Sequence, residues 1–109
     1  MNNKITEVFT TEDSKILDVR IGESPVQAAE IRVPGTNSWI VLLRCSKGLL
    51  GCRIFDLCTA DKIRLPLAIF AVPHTEDMLS AKPVSLSEAA RQMGATEEMT
   101  GAQIAGLFS

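Results

Sequence analysis

Tyrosine is absent from this chain, and its aromatic side chains amount to Trp39, Phe9, Phe55, Phe70 and Phe108. A surface that stacks nucleic-acid bases interleaves rings with a strongly basic face, whereas the formal charge here is −2. No nucleic-acid partner is expected. Histidine occurs once, as His74, so a His-rich metal centre has no second imidazole. Cys45, Cys52 and Cys58 are odd in number, with six and five residues between them, and fit neither a disulfide framework nor the CxxC pairs of zinc and redox sites. Reduced thiols are the expectation. No apolar run approaches the roughly 20 residues of a spanning helix, and Met1-Asn2-Asn3-Lys4 leads into no apolar signal region. Neither membrane insertion nor export is expected, and the chain reads as cytoplasmic. The GxSxG, HExxH, GxGxxG and EF-hand patterns are all missing, and Pro34-Gly35-Thr36-Asn37-Ser38 lacks the Gly-Lys-Thr/Ser ending of a phosphate loop. No cofactor and no metal is expected.

What is present is an ordinary composition, 109 residues with 46% apolar and 22% charged. A chain of this size buries somewhat over 60% of its unfolded surface, which is enough for one core. A single domain over 1–109 is therefore expected. Charge is uneven: Arg32 to Arg64 holds six bases against two acids, and the chain after Leu65 two bases against five acids. This reads as a solvated surface.

Period-two alternation dominates the first half. Leu17-Asp18-Val19-Arg20-Ile21 and Ala29-Glu30-Ile31-Arg32-Val33 read as strands with one wet face, and Ile5 to Thr10 is β-branched enough to be another. Trp39 to Cys45 and Leu49 to Phe55 form a predicted hairpin around Lys47-Gly48, with Gly48 free to take a positive φ. If Ser46 faces Leu49, then Trp39, Val41, Leu43 and Cys45 share an apolar face with Leu50, Cys52 and Ile54. The other face carries Ile40, Leu42 and Arg44 beside Gly51, Arg53 and Phe55, too apolar for open water.

The second half changes period. Asp56 caps a predicted helix Leu57 to Ile63, Leu67 to Val72 has the length of a buried strand, and Thr75 caps a short helix with Glu76 and Asp77 in its first turn. Ser85-x-x-Glu88 and Thr100-x-x-Gln103 read as capping boxes, the first opening a helix that Gly94 stops. The expected fold is α+β: an N-terminal, mostly antiparallel β region at about 1–55, then a short helix, a buried strand and short C-terminal helices over about 56–109.

With these elements placed, the order of motifs from Ile21 to Phe108 resembles a bacterial and archaeal family, the YunC-like proteins that carry domain of unknown function 1805. Val33-Pro34-Gly35-Thr36-Asn37 resembles that family's apolar-Pro-x-Thr-Asn element. Gly48 to Asp56 resembles its Gly-x-x-x-Cys-x-x-x-Asp stretch, with Arg53 where a Gly is usual. Thr75 to Leu79 resembles its short acidic helix, and Met99-Thr100-Gly101 the element that opens its last helix, with Glu98 where a Gly is usual. The resemblance implies an α+β fold whose N-terminal β region forms a tetramer, and no assigned reaction.

Cys52 is the residue an enzyme would use. A thiolate needs a positive neighbour or a base, and Arg44, Arg53 and His74 are the ones available. The hairpin register instead points Cys52 away from both arginines into the apolar layer, where the neutral thiol is favoured. Asp56 either caps the following helix or lines a pocket beside Cys52. His74, just before a helix start, reads as an exposed loop residue, with a catalytic or ligand-binding role as the alternative, and Thr36 and Asn37 read as turn residues that bond nearby amides. Two functions stay open: a self-assembling, tetrameric module without an assigned reaction, or an enzyme or small-molecule-binding protein with an intersubunit site built from Cys52, Asp56, Thr36, Asn37 and an arginine.

Overall fold

The alternating first half of the chain becomes an antiparallel meander in the computed structural model, which describes residues 3–109. Met1 and Asn2, which open the expected 1–55 region, lie outside the described residues. Five strands come first: β1 (Asn3–Thr10), β2 (Ser14–Ile21), β3 (Ser24–Arg32), β4 (Trp39–Arg44) and β5 (Leu49–Cys52). They are followed by α1 (Leu57–Lys62), β6 (Leu67–Phe70), α2 (Thr75–Ser80), β7 (Ser85–Leu86), α3 (Glu88–Gln92) and α4 (Gly101–Leu107). All seven strands join one sheet in chain order. Every junction is antiparallel except β5 to β6, where α1 carries the chain across and the pair runs parallel. The fold class is thus the α+β arrangement expected from the sequence.

Leu17, Val19 and Ile21 of β2 enter the core, and Gly22 at φ 62° makes the tight turn into β3. In β3 the polarity of the alternation turns over. Glu30 is 3% exposed on the core face with Val26 and Ala28, whereas Ile31 on the opposite face is 49% exposed. Both strands are interior; the sheet edges are β1 and β7, so β2 and β3 leave no edge of their own to pair.

The β4–β5 hairpin keeps its predicted faces but not its predicted turn. Leu43 pairs with Leu50 and Cys45 N–H donates to Gly48 O at 2.9 Å, so the loop is Ser46-Lys47, a shift of two that leaves side-chain parity unchanged. Gly48 does not take a positive φ. Its role is close approach, because a β-carbon there would meet the Phe108 ring at 2.7 Å and Pro66 O at 2.8 Å. β5 stops at Cys52, so Arg53, Ile54 and Phe55 form a turn instead of extending the hairpin; Ile54 is exposed and Phe55 folds back over Gly51. Phe55 therefore finds its cover within its own chain.

Helices sit on both faces of the sheet, unequally. On one side α2, α3 and α4 close the main core, with Leu43, Leu50, Phe70, Met78, Ile104 and Phe108 fully buried. On the other, α1 covers only β5 and β6 through Ala60, Leu67 and Ile69. The Thr100 and Gln103 capping box opens α4 as predicted. The Ser85 box does not form. Ser85 and Leu86 pair with β6 as β7, and Ser87 caps α3 instead, accepting from Ala90 N–H at 3.2 Å.

Candidate functional site

The inverted alternation of β3 places a carboxylate under α2. Glu30 Oε1 lies 2.8 Å from His74 Nδ1, and Oε2 accepts the Thr75 N–H at 2.9 Å. Burial alone would raise the Glu30 pKa. Hydrogen bonds from Thr75 and His74, with the His74 charge, outweigh it and hold the carboxyl below its ordinary value. The Thr75 hydroxyl contributes to that lowering by proximity, yet it reaches no acceptor with hydrogen-bond geometry and is fully buried. His74, not Thr75, is the N-cap position of α2; its imidazole makes no cap bond and is turned to Glu30 instead. It is half-buried, with the Trp39 ring 5.8 Å away, and Lys15 and Arg32 sit 5.6 and 4.7 Å from the centre of that indole. Arg32 is paired with Asp13 at 3.1 Å.

Cys52 occupies a different place, at the carboxyl ends of the parallel strands β5 and β6. It is 8% exposed and lines a cleft of about 490 Å³ with Asn37, Trp39, Arg53, Phe70 and Pro73. Because β5 ends at Cys52, Arg53 is not carried to the opposite face and borders this same cleft. Arg44 is on the far face of the sheet, exposed, and lines a separate depression with Lys4, Asp18 and Arg20. Asp56 is engaged by α1, accepting from Cys58 N–H, Thr59 N–H and Thr59 Oγ1 at 3.1, 3.3 and 2.9 Å. The Thr59 hydroxyl, then the Cys58 amide, lower its pKa. It lines a third cleft, beside α1, and not the Cys52 cleft. The Thr36 hydroxyl donates to Val33 O at 2.8 Å and accepts from Ser38 N–H at 3.0 Å, which with Gly35 at φ 74° fixes the β3–β4 turn. The structure thus brings Cys52, Asn37 and Arg53 together and leaves Arg44, Asp56 and the Thr36 hydroxyl elsewhere.

The fold has a solved counterpart. A crystal structure of a protein of unknown function from Thermoplasma acidophilum is similar, with a TM-score of 0.82 and 21% identity over 93% of this chain and 99% of that one. At that identity the likeness shows the fold. No family model matches the chain, and no curated protein does. No helix is long and apolar enough to cross a membrane, and no group of three metal-ligating side chains converges, both among the described residues.

Glu30 is the site residue that sequence reasoning misses. Its signal was faint: in Ala29-Glu30-Ile31-Arg32-Val33 either face can be the wet one, and only the Val26 and Ala28 positions preceding it show that the even-numbered residues point inward.

Proposed function

We propose that the protein is a self-assembling module, a homotetramer built through the uncovered face of its N-terminal sheet. One observation carries the self-association. Register places Phe9, Ile16, Ala29 and Leu42 side by side across β1 to β4, with Ile31 and Ile40 paired in the neighbouring row. Phe9, Ile16 and Ile31 are 56, 37 and 49% exposed. The row continues into Gly51 and Ile69, where Phe55 and α1 cover it; over β1 to β4 no element among the described residues does. Contiguous apolar surface of this kind marks an interface, and a sheet face is self-complementary across a two-fold axis. The number four comes from the resemblance to the YunC-like proteins, carried by Val33 to Asn37, Gly48 to Asp56, Thr75 to Leu79 and Met99 to Gly101. Three unpaired cysteines support a cytoplasmic, reducing compartment. Replacing Ile31 and Leu42 together with Glu tests the placement: later elution from a sizing column with native circular dichroism is expected, and unchanged elution would refute it.

A second reading rests on the Cys52 cleft, which opens beyond the carboxyl ends of two parallel strands, where ligands of such sheets bind, and combines a thiol with Asn37 and Arg53. In this reading Cys52 is the nucleophile and a neighbouring subunit completes the site. Native labelling by a thiol reagent supports it when substoichiometric reagent reaches Cys52 before denaturation. A Cys52 thiol silent until unfolding ends it.

A further inference from the structure

The core face of the β4–β5 hairpin is left unfinished at one end. The register pairs Leu42 with Gly51 and Leu43 with Leu50; continued, it puts Cys52 beside Val41 and Ile54 beside Trp39. β5 stops before that last place, and Ile54 turns out to solvent at 62% exposure. The space beside Trp39 is thereby open, and it forms part of the cleft of about 490 Å³ over Cys52, walled by Val33, Ile40, Val72 and Pro73. An apolar slot of this size suits a small organic molecule.

Two observations identify the kind. No carboxylate lines the cleft, and its one charged group is the Arg53 guanidinium, exposed at the open side and without an ion-pair partner among the described residues. An unpaired guanidinium is a two-pronged donor that matches a carboxylate. Cys52, by contrast, is more than nine-tenths buried at the closed side and has no disulfide partner. A free cysteine so placed packs as a small apolar group, so the slot is charged at its mouth and apolar at its floor.

We infer that this cleft binds a small monocarboxylate with a flat apolar body, the carboxylate paired with Arg53 and the body against the Trp39 indole over Cys52. The inference rests on the second reading of the Cys52 cleft as a ligand site and adds the class of ligand; it involves no bond to sulfur and no contribution from the tetramer.

Trp39 is the only tryptophan, so the emission of the full chain reports on this cleft, with calorimetry run in parallel. The probe is 3-phenylpropanoate. Its controls, at constant ionic strength, are 3-phenylpropan-1-ol and 3-phenylpropan-1-amine for the charge and propanoate for the apolar body. The expected result is saturable binding of 3-phenylpropanoate that changes Trp39 emission, at least about tenfold tighter than any control. Arg53→Gln should weaken it at least about tenfold, to the level of the alcohol, with the melting curve unchanged. Arg44→Gln, on the opposite face of the sheet, should leave it unaltered. No saturable binding up to about 10 mM, an equal affinity for the alcohol or the amine, binding undiminished in Arg53→Gln, or an equal loss in Arg44→Gln would each overturn the inference. Thiol labelling is scored separately: bound 3-phenylpropanoate with a silent Cys52 ends only the nucleophile, and a labelled Cys52 with no carboxylate bound ends only the ligand class inferred here.

Discussion

Gly101 lies directly against the backbone carbonyl of Met78. Its own N–H donates to Ala81 O at 2.9 Å, so α4 starts in contact with the main chain of α2, and a β-carbon at 101 would overlap Met78 O. The glycine in Met99-Thr100-Gly101 therefore has a steric reason. Gly101→Ala is expected to destabilise by about 2 kcal/mol or more, since neither backbone can yield without moving its helix. An unshifted urea midpoint would contradict this contact.

Ser87 should matter more than any other capping residue. Its fully buried hydroxyl donates to Leu65 O at 2.8 Å and accepts from Leu67 N–H at 2.9 Å and Ala90 N–H at 3.2 Å, tying α3 to the start of β6. Ser87→Ala leaves buried backbone groups unpaired and should cost roughly 2–4 kcal/mol. Thr100→Ala, which removes a half-exposed cap, should cost about 1 kcal/mol. Ser85→Ala should be close to neutral. Thermal melts of the three variants check the ranking.

The buried carboxylate makes stability depend on acid pH. The folded pKa of Glu30 lies below its ordinary 4.5, so the stabilisation it supplies is complete above that pH and is lost as pH falls through the folded value. Glu30→Gln should therefore flatten the fall in urea midpoint below pH 4.5, leaving the dependence carried by other carboxyls such as Asp56. Glu30→Ala, which strands the Thr75 amide and the His74 ring nitrogen, should cost roughly 2–4 kcal/mol. Equal acid profiles for wild type and Glu30→Gln would contradict the linkage.

How much of this could be read from the sequence depended on whether a local rule decided the matter. Asp56 and Thr100 were legible as caps because the bonds they make span only two or three residues. The β4–β5 faces were legible because a slip of two preserves parity, even though the turn moved to Ser46-Lys47. Glu30 was not legible, since inward and outward readings of β3 differ only in long-range partners 44 and 45 residues away. Nor was β7, a two-residue strand whose existence depends on β6 beside it. Ser87 lost to Ser85 in the sequence because the capping-box pattern fits Ser85, while the deciding bonds of Ser87 reach back 20 and 22 residues.

Arg64 offers a test of local strain. It sits at φ 58° just after α1, where Leu65 N–H closes on Ala60 O at 2.9 Å and Arg64 N–H on Asp61 O at 3.3 Å, the pattern that favours glycine. Arg64→Gly should raise stability by up to about 1 kcal/mol. A lower melting temperature would show that the arginine side chain compensates for its backbone.

Self-assembly is tested most directly by light scattering coupled to size exclusion on the wild-type chain across micromolar concentrations. The exposed row from Phe9 to Leu42, with Ile31 and Ile40 beside it, predicts self-association, and the tetramer proposed from the family resemblance predicts a single species of four times the 11.8 kDa chain mass. A monodisperse 11.8 kDa species over the same range would contradict assembly, and with it the reading of that face as an interface.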